Sequence, residues 1–583
     1  MFFDMKANVC GPSVRSAFFR IFAYPVDPMM IDIDLLRKRY AAGQRFTVEE
    51  WAGLTAAGAD QGSPDPRSLI AAHDMLLFVK AFPHDAEDHL RAVEGLARIS
   101  SAAAAAAGRD RRIARALRDS GIDGLPMRAH FSIDLCRWLL AEHPSAVVLD
   151  AFDGEEETVR ATLVALSQQV EREAMDDERH TVFDRLLVAS AGSPLRWLVN
   201  AIDRATGDPH LRHVLWEGCR PGIVITPHRS PLSRTFCQGP DQPIYYFQNG
   251  TRGVNGGPLV ILGELEPDLV LGTEQRGELL TAARGVLIGH QRETDPVTCC
   301  EHRAIAHHRL DQGIGISLLP LPPGRRTALD AYVGYVAYVN RVPVAYGGAW
   351  LFPGRTKVGI NVFPAFRGGP SALLFARILR CYAQRYDVDA FEAENYQLGH
   401  GNGDGIRSGA YWFYHRLGFR SQHPRLVAIA ATEAERMRAD PGYRTPARVL
   451  RKLAAESMLL RLREKDMPHV EPLDVAERAL HHLAKVAKGD RHAARERVAL
   501  RVARRLGAGS MKRWSGADRS GFADLAPAID PISDLERWSV KDKRLLVKLM
   551  RAKGLVTEDH YIALLNRHQR LIRAWWTLLQ ADQ

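Results

Sequence analysis

The chain has 583 residues, of which 46% are hydrophobic and 25% charged, so a globular protein of two to four domains is expected. No apolar run approaches the roughly 18 residues of a membrane span, and the seven cysteines are scattered, with no Cys-x-x-Cys pair. This pattern argues against a disulfide scaffold, a structural zinc site and a transmembrane chain, and a cytoplasmic location is the expectation.

The formal charge of +10 is uneven. Residues 441–583 carry 29 Lys and Arg against 17 Asp and Glu, and the rest carry 49 against 51.

In chain order, residues 1–28 read as a leader, with Met29 or Met30 as an alternative start. Residues 1–125 form a mainly helical N-terminal region, with apolar residues at helical spacing in Leu69-Ile70, Leu76-Leu77-Phe78 and Leu90, Val93, Leu96. The Ala-rich stretch Ser100–Arg112 suggests a tether or an exposed helix. Residues 126–320 are read as a mixed α/β region that holds an acceptor-binding part. Its short apolar runs, Gly222–Ile225, Ile244–Phe247 and Leu259–Leu262, are bounded by Gly, Pro and Asn in the manner of strands. Residues 431–583 read as a basic helical C-terminal region.

Residues 321–430 carry the chemistry. Gly334–Val339 and Val342–Tyr346 form a hairpin around Asn340-Arg341, and Val358–Phe363 is a third strand ending at Pro364. After Arg367-Gly368-Gly369-Pro370 a helix is expected from Ser371 to Arg385, with Phe375, Ile378, Leu379 and Tyr382 on one face. A fourth strand covers Val388–Glu394, and Ser408–Leu417 is a helix stopped by Gly418. A strand, a Gly-rich turn and a helix start make an anion site, because helix N-terminal amides converge there and the helix dipole favours negative charge.

The stretch 327–420 resembles the GNAT superfamily of acyl-CoA N-acyltransferases, through the hairpin, the Arg-x-x-x-x-Ala turn and the aromatic–Tyr–x–x–Leu–Gly–Phe ending. The resemblance implies an α+β protein in which a GNAT-like mixed sheet with helices is the central core, flanked by mainly helical N- and C-terminal regions. It implies acetyl-CoA or another acyl-CoA as substrate, no metal, and an amine-bearing acceptor reached by direct transfer. The CoA pyrophosphate would lie on Val362, Phe363, Arg367, Gly368, Gly369, Ser371 and Ala372. Tyr414 would stand beside the sulfur as the acid.

Glu392 and Glu394 share a strand face, and either is a candidate base for the acceptor amine. Pro370 departs from the family turn, where glycine is usual, and removes one amide donor. Residues Tyr396–Arg407 are an insertion, read as a lid over the acyl site or a surface loop. The alternative to an enzyme is a catalytically inactive GNAT-fold binding or scaffold protein.

Other constellations carry less. The stretch from His290 to His308 is dense in potential ligands but has no His-Glu-x-x-His. His228-Arg229-Ser230 reads as a loop. No Gly-x-Ser-x-Gly elbow and no phosphate-binding P-loop occurs. Arg491–Arg513 holds eight basic residues and one acid with poor aromatic interleaving, so it is read as a solvated helix face and a nucleic-acid partner is not expected.

Overall fold

The structure is a computed structural model that describes residues 32–56, 65–177, 179–251, 261–264, 267–367, 369–463 and 467–580. The proposed leader, Gly368 and the start of the apolar run at Leu259 lie outside the described residues. The protein is mixed α+β, with two sheets among helices. Strands β1 (Met127–Ala129), β2 (Val147–Phe152) and β3 (Pro221–Ile225) make a three-stranded sheet in the order β1-β3-β2.

The larger sheet contains β4 (Ala306–Arg309), β5 (Ile314–Pro320), β6 (Ala331–Val339), β7 (Val342–Leu351), β8 (Thr356–Val358), β9 (Asn361–Val362), β10 (Ala390–Ala393), β11 (Arg420–Ser421) and β12 (Met458–Arg461). Its order is β11-β12-β10-β8-β7-β6-β5-β4, with β9 also on β7. Neighbours are antiparallel except β8 and β10, which run parallel over Thr356↔Phe391 and Lys357↔Glu392.

The β6–β7 hairpin closes on Asn340-Arg341, both at positive φ (48° and 69°), as a two-residue turn matching strand twist requires. Asn340 tolerates that region and is buried. Its side-chain amide donates to Ala81 O and Tyr245 O, and its Oδ1 accepts the Tyr245 N–H at 2.8 Å. This explains a difference from the sequence reading. Ile244–Phe247 is not a strand, because a turn side chain rather than a neighbouring ladder engages Tyr245.

Two hydrophobic interiors exist. One gathers residues 127–232 with Ile288. The other runs through the N-terminal helices, the large sheet and the C-terminal helices, from Leu36 to Trp575. The Ala-rich stretch belongs to it, since it forms the last turns of the helix Ala86–Arg109 with Ala103 and Ala106 buried. The tail departs from a purely helical reading: β12 inserts between β10 and the edge strand β11.

The C-terminal helices are also pinned to the core by buried charge. Lys553 Nζ lies 2.6 Å from Glu558, itself 3.5 Å from Arg326, and these three side chains are at most 4% exposed. Trp575 stacks on Phe352 at 6.3 Å.

Among the described residues no helix is long and apolar enough to cross a membrane.

Candidate active site at the break in the sheet

The expected third strand, Val358–Phe363, is not continuous. Val358 pairs with Ala349 and Val362 with Ala345 in one register, and between them Gly359 and Ile360 leave the ladder. The break is held on both faces. Tyr335 Oη donates to Gly359 O at 2.8 Å, and a Cβ on Gly347 would lie 2.6 Å from that oxygen, so glycine is needed there. A Cβ on Gly359 would lie 2.8 Å from Gln397 Nε2.

Tyr414 reaches the same break from the helix Ala410–Arg416. Its ring is 3% exposed and sits edge-on to Phe375 (5.6 Å), Phe413 (5.3 Å) and Phe419 (5.4 Å). Burial pushes its phenol well above the ordinary value, and a hydrogen bond with the Ile360 backbone pulls the other way. The phenol is therefore protonated at neutral pH and has an O–H to donate.

The two carboxylates read as alternatives occupy different environments. Glu392, on β10, is 2% exposed and takes both Arg355 nitrogens, Nη2 at 2.5 Å and Nε closer still. That bidentate pair leaves it poorly placed to receive a substrate proton. Glu394 stands past the end of β10 with its side chain 37% exposed, 3.4 Å from Lys357 Nζ. Lys357 also lies 3.5 Å from Glu471, which meets Arg355 at 3.2 Å.

The result is a chain of alternating charge, Glu394–Lys357–Glu471–Arg355–Glu392, running from a partly exposed carboxylate to a buried one. Burial alone would raise the Glu471 carboxyl, but His469 and the charges of Lys357 and Arg355 outweigh it and bring it down to about 2. Arg355, Gln397, His469 and Glu471 were not singled out from sequence. Two of them lie on segments whose proximity only the folded sheet creates.

The turn before the helix Ser371–Arg385 differs from expectation in its donors. The N–H of Gly369 bonds to Phe366 O (3.2 Å), and that of Ser371 bonds to Gly369 O (2.8 Å). Two of the amides counted on for an anion are therefore engaged locally. Leu374 N–H closes on Pro370 O, which leaves Ala372 and Leu373 as the first-turn donors by position. Arg367 is exposed at the mouth.

Beneath the turn lies a small apolar pocket lined by Phe82, Phe247, Val344, Val362 and Phe366. Phe363 is buried and stacks on Tyr346 (5.2 Å) and His290 (4.1 Å), so it is a packing residue, and Val362 is half-buried on β9.

The insertion is not a plain loop. It folds into the short helices Asn395–Leu398 and Gly403–Ser408, with Leu398 and Ile406 buried, and so carries Gln397 to the break.

Elsewhere, His228-Arg229-Ser230 is a loop whose Arg229 and Ser230 amides donate to the Asp123 carboxylate at 2.7 and 3.2 Å. In the basic helix Arg491–Leu506, Arg495 meets Asp524 (2.5 Å), Arg501 meets Asp530 (2.9 Å) and Arg505 meets Glu536 (3.1 Å). Among the described residues no group of three or more His, Cys, Asp or Glu side chains is arranged to hold a metal.

No protein-family model, curated protein or solved structure matches the chain.

Proposed function

We propose that the chain is an acyl-CoA-dependent N-acyltransferase of the GNAT type, acting on an amine at the Gly359–Ile360 break. The carrying observation is the meeting of Tyr414 with Ile360 there, beside the parallel step of β8 and β10. Tyr414 supplies a protonated phenol at a break in one of two parallel strands, where the thioester would be held. The strand order supports the reading too: the antiparallel run β4 to β8, the parallel step, then β10-β12-β11 suit a sheet that opens between β9 and β10 to admit a pantetheine arm.

In this reading the neutral amine nitrogen attacks the thioester carbonyl, a C–N bond forms and the C–S bond breaks. The amine proton passes to Glu394, and the Tyr414 O–H protonates the departing thiolate. Glu392 holds Arg355 and stays out of the reaction. CoA would be gripped by Arg367 with the amides of Ala372 and Leu373.

The engaged amides of Gly369 and Ser371 favour the second reading, a binding protein on this fold without turnover. Titration of acetyl-CoA and longer acyl-CoAs, with thiol release followed in pooled amines, tests both. Binding with release supports the enzyme, binding without release under any amine supports the second reading, and no binding overturns both.

A further inference from the structure

One face of the large sheet carries an ordered row of side chains. Tyr332, Trp350, Lys357 and Glu392 are successive register partners across β6, β7, β8 and β10, so they share a face at strand spacing, about 14 Å from end to end. Tyr332 and Trp350 stack at 4.2 Å with planes 9° apart, and both are half-buried rather than sealed. Next along the row comes Lys357, and Glu394 reaches it from the end of β10.

The order is therefore carboxylate past the end of β10, ammonium, then an aromatic shelf. A lysine ammonium has three donors. Two face Glu394 and Glu471 at 3.4 and 3.5 Å, which leaves one directed elsewhere.

We propose that the acceptor is a free α-amino acid with a large apolar side chain; this rests on the acyl-transfer reading of the break. An α-amino group and its carboxylate are two bonds apart, matching the neighbouring carboxylate and ammonium of Glu394 and Lys357. With the amine toward Glu394 and the break, the carboxylate takes the remaining Lys357 donor. The side chain then lies along the row on Trp350 and Tyr332, where an apolar body gains contact area with little rotamer loss. A simple amine does not use that Lys357 donor, and a carboxylic acid without an amine gives Glu394 no donor beyond Lys357.

Calorimetry on the full chain, with and without bound CoA, tests this with L-phenylalanine, phenethylamine and 3-phenylpropionate. Phenylalanine should bind about tenfold or more tighter than either fragment, as a charge-assisted contact is lost from each. Lys357→Met should erase the preference over phenethylamine, Lys357→Arg should keep part of it, and Trp350→Ala should weaken phenylalanine while the thermal midpoint reports folding. Equal affinity for phenylalanine and phenethylamine, or no binding of phenylalanine, overturns the proposal. Acyl-CoA titrated in parallel separates the failures: acyl-CoA binding without phenylalanine binding sinks the amino-acid proposal alone, and the reverse sinks acyl transfer while the amino-acid site stands.

Discussion

The Tyr414 phenol meets the Ile360 backbone at the one place where the β8–β9 edge departs from its β7 ladder. Tyr414→Phe removes that hydroxyl and keeps a ring packed by Phe375, Phe413 and Phe419. Acyl-CoA affinity should stay within a few fold, while turnover falls roughly 10²-fold or more. Stability should drop by about 1 kcal/mol for the lost hydrogen bond. Equal turnover in the two proteins would remove Tyr414 from the mechanism.

Glu392 and Glu394 separate by readout. Glu392→Gln breaks a buried bidentate pair with Arg355 and should destabilise by about 3–5 kcal/mol. Glu394→Gln changes a partly exposed residue, so the melting temperature should shift little while thiol release falls. If the two variants exchange these phenotypes, the assignment of the base is reversed.

Much of the hairpin, the helix Ser371–Arg385 and the helix carrying Tyr414 was legible, because each is written in local periodicity and turn chemistry. The break at Gly359–Ile360 was not, since Val358–Phe363 reads as an unbroken strand and the residues that meet it, Tyr335, Gln397 and Tyr414, come from distant segments. The partners of Glu392 were hidden for a similar reason. Arg355 lies 37 residues before it in sequence, and Glu471 arrives through β12, whose four residues lie in a stretch of helical texture. Nor does the turn sequence reveal that Gly369 and Ser371 bond to their own neighbours.

The depressed Glu471 carboxyl gives a pH test. A carboxyl lower in the folded than in the unfolded state stabilises above its unfolded value, near 4.3, and that stability fades as pH falls toward about 2. Wild type should exceed Glu471→Gln by up to about 3 kcal/mol above pH 5. The gap should narrow steadily between roughly pH 4.3 and 2 in urea melts. A gap that does not change with pH would show that Glu471 acts through packing and not through its charge.

For the cofactor turn, Arg367→Glu places repulsion at an exposed mouth with no core contact to disturb. Acyl-CoA affinity should fall about tenfold or more, and the melting temperature should hold. Because the Gly369 and Ser371 amides are already engaged, the proposed phosphate contact would rest more heavily on Arg367. Unchanged affinity in a folded variant would move the pyrophosphate away from this turn.

The C-terminal region was read as a separate basic helical unit, and its removal is the sharpest test of how the core is built. A chain ending at Ala439 loses β12, which pairs with β10 along Ala390–Ala393 and with β11 at Arg420–Ser421. Both partners would then present open edges, and exposed strand edges promote aggregation. The same cut strips Trp575 from Phe352 and takes from Arg326 its Glu558 partner and the Lys553, Leu555 and Val556 carbonyls that it binds. The expected outcome is insoluble protein or a large loss of cooperative unfolding, measured by soluble yield and thermal melts. Lys553→Met should act in the same direction on a smaller scale, costing about 3–5 kcal/mol, since it leaves Glu558 with Arg326 alone. A truncated chain that stays soluble, melts cooperatively and still binds acyl-CoA would show that residues 321–430 fold without the strand that completes their sheet.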